Sequence, residues 1–286
     1  MINLGSPDST DIPDVKRYLD EFLMDERVIE YNYFFRWLLV KGIILNTRPK
    51  KSAEAYKSIW TDNGSPLIYY CEMLTKSLKL SHDEPIELAM AYGNPSLPNA
   101  IDKLIEADVE EICLLPLFPQ YAMATVGSCI GWLKKILTQK KFSGIVRMAP
   151  PYHNHDSYVE PIADKIKDTN EHILFSYHGL PTKAVDDIYD DSLCADNNCE
   201  NEITNENKFC YKATCYETTR LIASRFNLSR DKYTVSFQSR LTKNWLEPFT
   251  DEVLESFPTK GIKNILVLSP AFTADNLETL YEIDDE

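Results

Sequence analysis

No stretch of this 286-residue chain approaches the ~18 uninterrupted apolar residues that cross a bilayer. The nearest case, residues 31–45, is broken by Arg36 and Lys41. The opening MINLGSPDST lacks the basic-then-apolar pattern of a secretory signal. Positive charge is also in deficit. Thirty basic against 44 acidic side chains leave a formal charge of −14, which argues against a nucleic-acid binder, because backbone phosphates need a basic face. Nine glycines and 16 prolines exclude collagen-like or low-complexity sequence. Seven cysteines, an odd number, do not make a secreted disulfide scaffold. These absences leave a soluble, cytoplasmic protein of one large or two moderate domains, with an ordinary 44% of apolar residues to build its core.

What is present alternates. Short apolar runs at 86–92, 111–117, 144–148, 172–177, 233–238 and 264–268 end in Pro, Gly or polar residues, and amphipathic stretches such as 96–107 and 216–226 lie between them. Most runs lack strict polar alternation, as expected of parallel strands buried on both faces. The pattern predicts an α/β fold of two Rossmann-like, doubly wound parallel-sheet lobes, 1–143 and 144–286. In such folds ligands sit beyond the carboxyl ends of the strands. Those ends carry LFPQY, SYHGLP, FQSR and SPAFTADNLE.

His178 follows the run ILFSY and precedes Gly179, Leu180 and Pro181, a stiff loop presenting an imidazole where a turn alone needs none. Histidine exchanges protons or binds a borderline metal near neutral pH. In the tail ADNLETLYEIDDE, a helix from Asp275 would stack Glu278 and Glu282 on one face, with Asp285 and Glu286 continuing the acidity. Such a face is either solvated or a carboxylate track for a hard divalent cation or protons. Residues 27–57 form a basic island, with seven basic residues against Glu30 and Glu54, interleaved with Tyr31, Tyr33, Phe34, Phe35 and Trp37. That island fits an amphipathic helix, a planar apolar ligand with carboxylates, or a lip on a membrane surface. The pair His153 and His155 is a weaker metal-binding candidate and reads first as a surface loop. Cys71, Cys113 and Cys129 read as buried, inert thiols.

The ordered set NLGSPDS, RPKKSAEAYKSIW, GSPL, YGNPS, LPLFPQYAMAT, SYHGLP, FQSR with Trp245-Leu-Glu-Pro, and AFTADNLETLYEI resembles the ferrochelatase family over essentially the whole chain. The resemblance implies insertion of ferrous iron into a porphyrin, protoporphyrin IX or coproporphyrin III, with release of two protons in haem biosynthesis. A non-catalytic porphyrin or metal carrier of the same fold is the alternative. It implies an active-site cleft between the lobes, with His178 and Glu278 as the paired metal-site residues and Glu282 extending an acidic path. Arg48, Tyr56, Ser65 and Tyr121 match positions that hold the macrocycle and its carboxylates, and Trp245 matches a tryptophan lining it. Porphyrin and ferrous iron are the implied partners. Peripheral contact with the inner membrane, and a monomer or homodimer, stay open. Family members run on past the position of Glu286 with a further strand and helix, so a truncated C-terminus is expected. Asn276 stands where some members have His.

One segment departs from the resemblance. Residues 186–215 carry Cys194, Cys199, Cys210 and Cys215 in the spacing C-x4-C-x10-C-x4-C, where ordinary members have a short connection. Four cysteines in a polar loop of an intracellular protein suggest metal rather than disulfides. Some bacterial ferrochelatases resemble this chain in carrying a [2Fe–2S] cluster on internal cysteines, so the expectation is a [2Fe–2S] cluster on these four, with zinc or free thiols as alternatives.

Overall fold

A computed structural model describes residues 1–283. Asp285 and Glu286, the last of the expected acidic run, lie outside the described residues. The chain forms a mixed α/β protein with parallel sheets in two lobes. One compact unit comprises residues 1–118, 122–150 and the segment from Ala274 on; the other comprises 119–121 and 151–273.

In the first unit β1 (Ile2–Asn3) runs parallel to β2 (Ala89–Met90) on one side. On its other side it bonds to the continuation of β3 (Glu111–Leu114) through Ile2 N to Leu115 O, 2.9 Å, and Leu117 N to Ile2 O, 2.8 Å. Strand β3 pairs in parallel with β4 (Ile145–Met148). The first strand is thus central, as in a doubly wound sheet. Its apolar side chains pack with Leu97, Ile101, Cys129, Leu133 and Ile136 of the helices Leu97–Glu106 and Ser128–Gln139. A second core joins Val15, Tyr18 and Leu19 of the helix Ile12–Leu23 to Ala53, Tyr56 and Ile59 of the helix Pro49–Ile59. One buried charge is built into this unit. Asp25 accepts from Tyr92 Oη at 3.0 Å, Trp132 Nε1 at 2.8 Å and Arg27 Nη1 at 3.1 Å, so its desolvation is offset by three donors.

In the second unit β5 (His172–His178) is central, flanked in parallel by β6 (Tyr233–Gln238) and β7 (Ile265–Leu268). Residues 173–177 of β5 are all buried, which explains the run without polar alternation. The helices Asp156–Ile166 and Tyr211–Ser224 pack together, while Leu174, Val253 and Phe257 form a smaller core. All six runs read from the sequence contain strands.

Two expectations fail on burial. Cys113 is exposed rather than buried, because β3 alternates and Cys113 takes its open face. His153 is buried, not on the surface. It receives cover from the Tyr211–Ser224 helix, where Glu217 Oε2 lies 2.8 Å from its Nε2 and Thr218 Oγ1 donates to its carbonyl at 3.0 Å. His155 does stay at the surface, capping the Asp156–Ile166 helix by accepting from Ser157 N.

Candidate functional site

His178 is the last residue of the central strand, between the carboxyl ends of β6 and β7, where the sheet order reverses. Its register partner is Gln238. Three features fix it. Its Nδ1 stands 2.6 Å from the Gly179 carbonyl oxygen. A carbonyl only accepts, so Nδ1 carries the hydrogen, and Nε2 keeps the lone pair of the neutral ring. The backbone carbonyl of His178 accepts from Tyr211 Oη at 3.0 Å. The ring lies 6.4 Å from that of Trp245 and 6.3 Å from that of Phe272, centroid to centroid.

The following loop is pinned as well. Gly179 N donates to Gln238 O at 2.8 Å, and Leu246 N to Leu180 O at 2.9 Å, which brings half-buried Trp245 alongside. A side chain at 179 would set its Cβ 2.7 Å from the Gln238 oxygen, so close approach rather than backbone dihedral requires glycine there. Below the strand, Ser176 Oγ donates to Gln238 Oε1 at 2.8 Å, and the Thr250 hydroxyl lies 3.0 Å from that of Ser176 and 2.8 Å from that of Ser236. Such a satisfied buried network holds the strand end in one arrangement.

In the first unit, three of the expected residues, Arg48, Glu278 and Glu282, converge on a fourth, Tyr56. It is buried, with its ring edge-on to Tyr18 at 6.4 Å. Burial is the largest cause raising its hydroxyl pKa well above the usual value; the nearby carboxylates of Glu278 and Glu282 raise it too, and the Arg48 guanidinium lowers it. Arg48 itself is exposed. The tail helix is only one turn, Leu277–Leu280, and its Leu277 and Leu280 pack on the Tyr18–Tyr56 core. Glu278 lies in that turn. Glu282 follows it, so the expected helical stack of the two carboxylates is cut short at Leu280. Asn276 caps the turn, its Oδ1 accepting from Thr279 N at 3.0 Å. Ser65 is buried at the start of the helix Pro66–Lys79. Tyr121 is half-buried in the second unit.

The basic, aromatic island folds as a helix, Tyr33–Trp37, continuing into a π-helical stretch, Leu38–Ile44. Its charges turn inward: Arg36 is buried and donates to Tyr31 O at 2.6 Å, and Lys41 pairs with Asp20. Its rings turn outward, with Tyr33 67%, Phe34 64% and Phe35 58% exposed.

The cysteine segment gathers three thiols and not four. Sγ of Cys194 lies 3.8 Å from Cys199 and 3.6 Å from Cys210, and Cys199 lies 3.8 Å from Cys210. All three are buried. Contacts from Cys194 first, then Cys210, lower the pKa of the Cys199 thiol from its usual value. Cys215 is elsewhere. The helix starts at Tyr211, five residues before the 216–226 stretch read from the sequence, and takes Cys215 with it. Cys210 is the extended N-cap residue of this helix, and Cys215 lies in its second turn, outside the close group of three. Cys215 instead lies buried beside Tyr211, and burial raises its pKa.

A family model described as ferrochelatase matches residues 1–286. The chain belongs to the ferrochelatase family. A ferrochelatase of Legionella pneumophila (strain Corby) is 42% identical over 289 residues, covering 99% of this chain and 86% of that protein. One of Coxiella burnetii (strain Dugway 5J108-111) is also 42% identical over 289 residues, covering 99% of this chain and 81% of its own.

Within this ferrochelatase-family chain, sequence reasoning overlooked three residues. Tyr211 holds the His178 carbonyl, and Tyr189 and Asn207 attend Cys199 through Oη at 3.3 Å and Nδ2 at 3.7 Å. Tyr211, adjacent to Cys210, carried no periodic or charge signal. Tyr189 and Asn207 do lie inside the cysteine segment, where polar residues flanking thiols were the available hint.

Proposed function

We propose that this chain is an enzyme that inserts ferrous iron into a porphyrin, with protoporphyrin IX as substrate. The single observation that carries the reading is the imidazole of His178 at the carboxyl end of the central strand, with Nδ1 committed to Gly179 O and Nε2 left to accept.

Metallation must remove two N–H protons from a rigid planar ring and admit a dication. His178 Nε2 accepts a pyrrole proton, the role of a positioned general base. Glu278, with Glu282 next to it, supplies carboxylates for the incoming metal and outgoing protons. The half-buried indole of Trp245, with Tyr121, gives the macrocycle apolar and hydroxyl contacts. Arg48, Tyr56 and Ser65 supply cation and hydroxyl partners for its carboxylates. Binding energy from these peripheral contacts can bend the ring and turn its nitrogen lone pairs toward the metal. The outward-facing rings at 33–35 suit an apolar partner and support macrocycle entry beside a membrane surface. The three clustered thiols support a resident metal in residues 186–215, separate from the substrate iron and common to the iron–sulfur and zinc readings.

The test is anaerobic. The purified chain is mixed with ferrous iron and protoporphyrin IX, and conversion of the free-base spectrum to that of haem is followed. Turnover in the wild type that disappears in His178→Ala, with porphyrin still bound, is the expected result. Porphyrin binding without turnover in the wild type, for both protoporphyrin IX and coproporphyrin III, would instead identify a carrier.

A further inference from the structure

Four arginines stand in the second unit, and they divide by what they pair with. Arg225 pairs with Asp156, and Arg240 with Asp251 and Glu252. Arg220 and Arg230 pair with no carboxylate among the described residues, in a chain whose net charge is −14. Both line one cavity instead, together with the buried rings of Tyr216 and Tyr233. Its volume is about 90 Å³. That is several times what one water needs and well below the ~300–1,000 Å³ of pockets for drug-sized ligands, so the space suits a small ion. Each guanidinium is aimed by a backbone carbonyl. Arg220 Nη1 donates to Glu200 O at 2.7 Å and Arg230 Nη1 to Tyr233 O at 2.9 Å, and the Arg230 guanidinium lies 4.8 Å from the centre of the Tyr233 ring. Most of each five-donor fork is left over. The carboxylates nearby are committed elsewhere. Glu200 Oε1 accepts from Lys212 Nζ at 2.7 Å, Glu202 Oε1 accepts from Asn198 Nδ2 at 3.1 Å, and Glu217 Oε2 lies 2.8 Å from His153 Nε2. Arg220 is half-buried, and burial, the largest cause, lowers its pKa although Glu217, Tyr233 and Glu202 raise it. The hydroxyls of Tyr216 and Tyr233 have no hydrogen-bond partner among the described residues.

We propose that this cavity is a phosphate site, formed by the guanidinium groups of Arg220 and Arg230 and the hydroxyls of Tyr216 and Tyr233. A half-buried guanidinium without countercharge is costly, and an oxyanion supplies that charge through short, charge-assisted hydrogen bonds. The donors come from three directions. Tyr216 and Arg220 stand one turn apart on the Tyr211–Ser224 helix, Arg230 opens the short turn Arg230–Lys232, and Tyr233 begins β6. That spread matches a tetrahedral acceptor, whereas a planar carboxylate is satisfied by a single guanidinium fork. Free phosphate and the phosphoryl group of a larger molecule share this chemistry. Because Arg220 also holds the Glu200 carbonyl, an ion here braces the cysteine-bearing segment against the helix and β6. The site uses neither His178 nor the thiols, so it stands apart from the reaction proposed above.

The experiment titrates the full chain with inorganic phosphate by calorimetry, and compares melting temperatures in phosphate and in sodium chloride at matched ionic strength. Saturable binding and a rise in melting temperature beyond that in chloride are expected. Arg220→Gln and Arg230→Gln should each weaken phosphate affinity on the order of 10- to 100-fold, the worth of a hydrogen bond to a charged group. Tyr216→Phe and Tyr233→Phe, which keep the rings, should each weaken it several-fold. Arg225→Gln, whose parent guanidinium is already paired with Asp156, should bind as the wild type does. A wild type that responds to phosphate no more than to chloride overturns the proposal. So does phosphate binding that survives both Arg220→Gln and Arg230→Gln, since it then lies elsewhere, or binding that Arg225→Gln weakens equally, since it is then mere attraction to positive charge. Where an arginine variant does not fold, the two tyrosine variants carry the same decision: unchanged affinity in both removes the ion from this cavity. Phenyl phosphate separates the sources. Binding at least as tight as that of inorganic phosphate assigns the site to the phosphoryl group of a larger molecule, and weaker binding assigns it to the free ion.

Discussion

The end of β5 and the cysteine segment are neighbours in sequence, yet they are organised by opposite means. His178 is fixed by the protein alone, through a strand register, a carbonyl at 2.6 Å, the Tyr211 hydroxyl and a buried hydroxyl network. The segment around Cys194, Cys199 and Cys210 has little regular structure beyond a single 3₁₀ turn, and three buried sulfurs meet inside it. The first region is preorganised before any ligand arrives. On the proposed metal reading, an ion would complete the second. Catalysis placed on the former therefore tolerates metal loss in the latter better than the reverse.

The largest effect should come from breaking the first region. His178→Ala should lower kcat by roughly 10²- to 10⁴-fold, the usual worth of a positioned acid–base group, with little change in melting temperature. A large fall in stability together with activity would show that the ring is structural. Gly179→Ala should follow, with a loss on the order of 10²-fold, because its Cβ meets the Gln238 carbonyl and must shift the loop that sets the imidazole. Its porphyrin affinity should hold, as read by fluorescence quenching.

The contrast is sharpened from the other side by removing the resident ion. Dialysis against a thiol-competent chelator should lower the melting temperature by several degrees, since anything bound only to the folded state stabilises it. The loss of kcat should be no more than several-fold. Tyr211→Phe should reproduce that kinetic loss without the metal, because Tyr211 adjoins Cys210 and donates to the His178 carbonyl. Removing one such donor costs about 1 kcal/mol.

The smallest effect concerns pH. The His153 hydrogen bond, first among its causes, holds the Glu217 carboxyl below its usual range. A carboxyl whose pKa falls on folding adds stability above its unfolded value, about 4.3, and loses it as pH drops through the lower folded value. The wild type should thus lose stability more steeply than Glu217→Gln as the pH falls below about 4.3. Parallel acid-denaturation curves would contradict the pairing.

Much of this was legible in the sequence, and the reasons are local. Strand runs such as ILFSY announce themselves because both faces are buried, and a histidine followed by Gly-Leu-Pro marks where such a run opens onto a loop. The thiol spacing likewise showed that a metal was in question. What the spacing concealed was a helix start: Cys215 falls inside the helix that begins at Tyr211, while Cys210 only caps it. His153 misled because its cover, Glu217, comes from 64 residues away. Cys113 misled because a strand's own residues do not say which face is covered. The one-turn tail helix escaped because no stop signal in the sequence marks its end at Leu280, while its Leu277 and Leu280 pack on the Tyr18–Tyr56 core.

One detail of His178 bears on proton counting. With Nδ1–H engaged by the Gly179 carbonyl, the ring presents one lone pair, and an imidazole in that state stores one proton at a time. A porphyrin gives up two. For one imidazole to take both, the first must be handed on before the second leaves, so on that route the reaction would divide into two deprotonations separated by a reset of the same nitrogen.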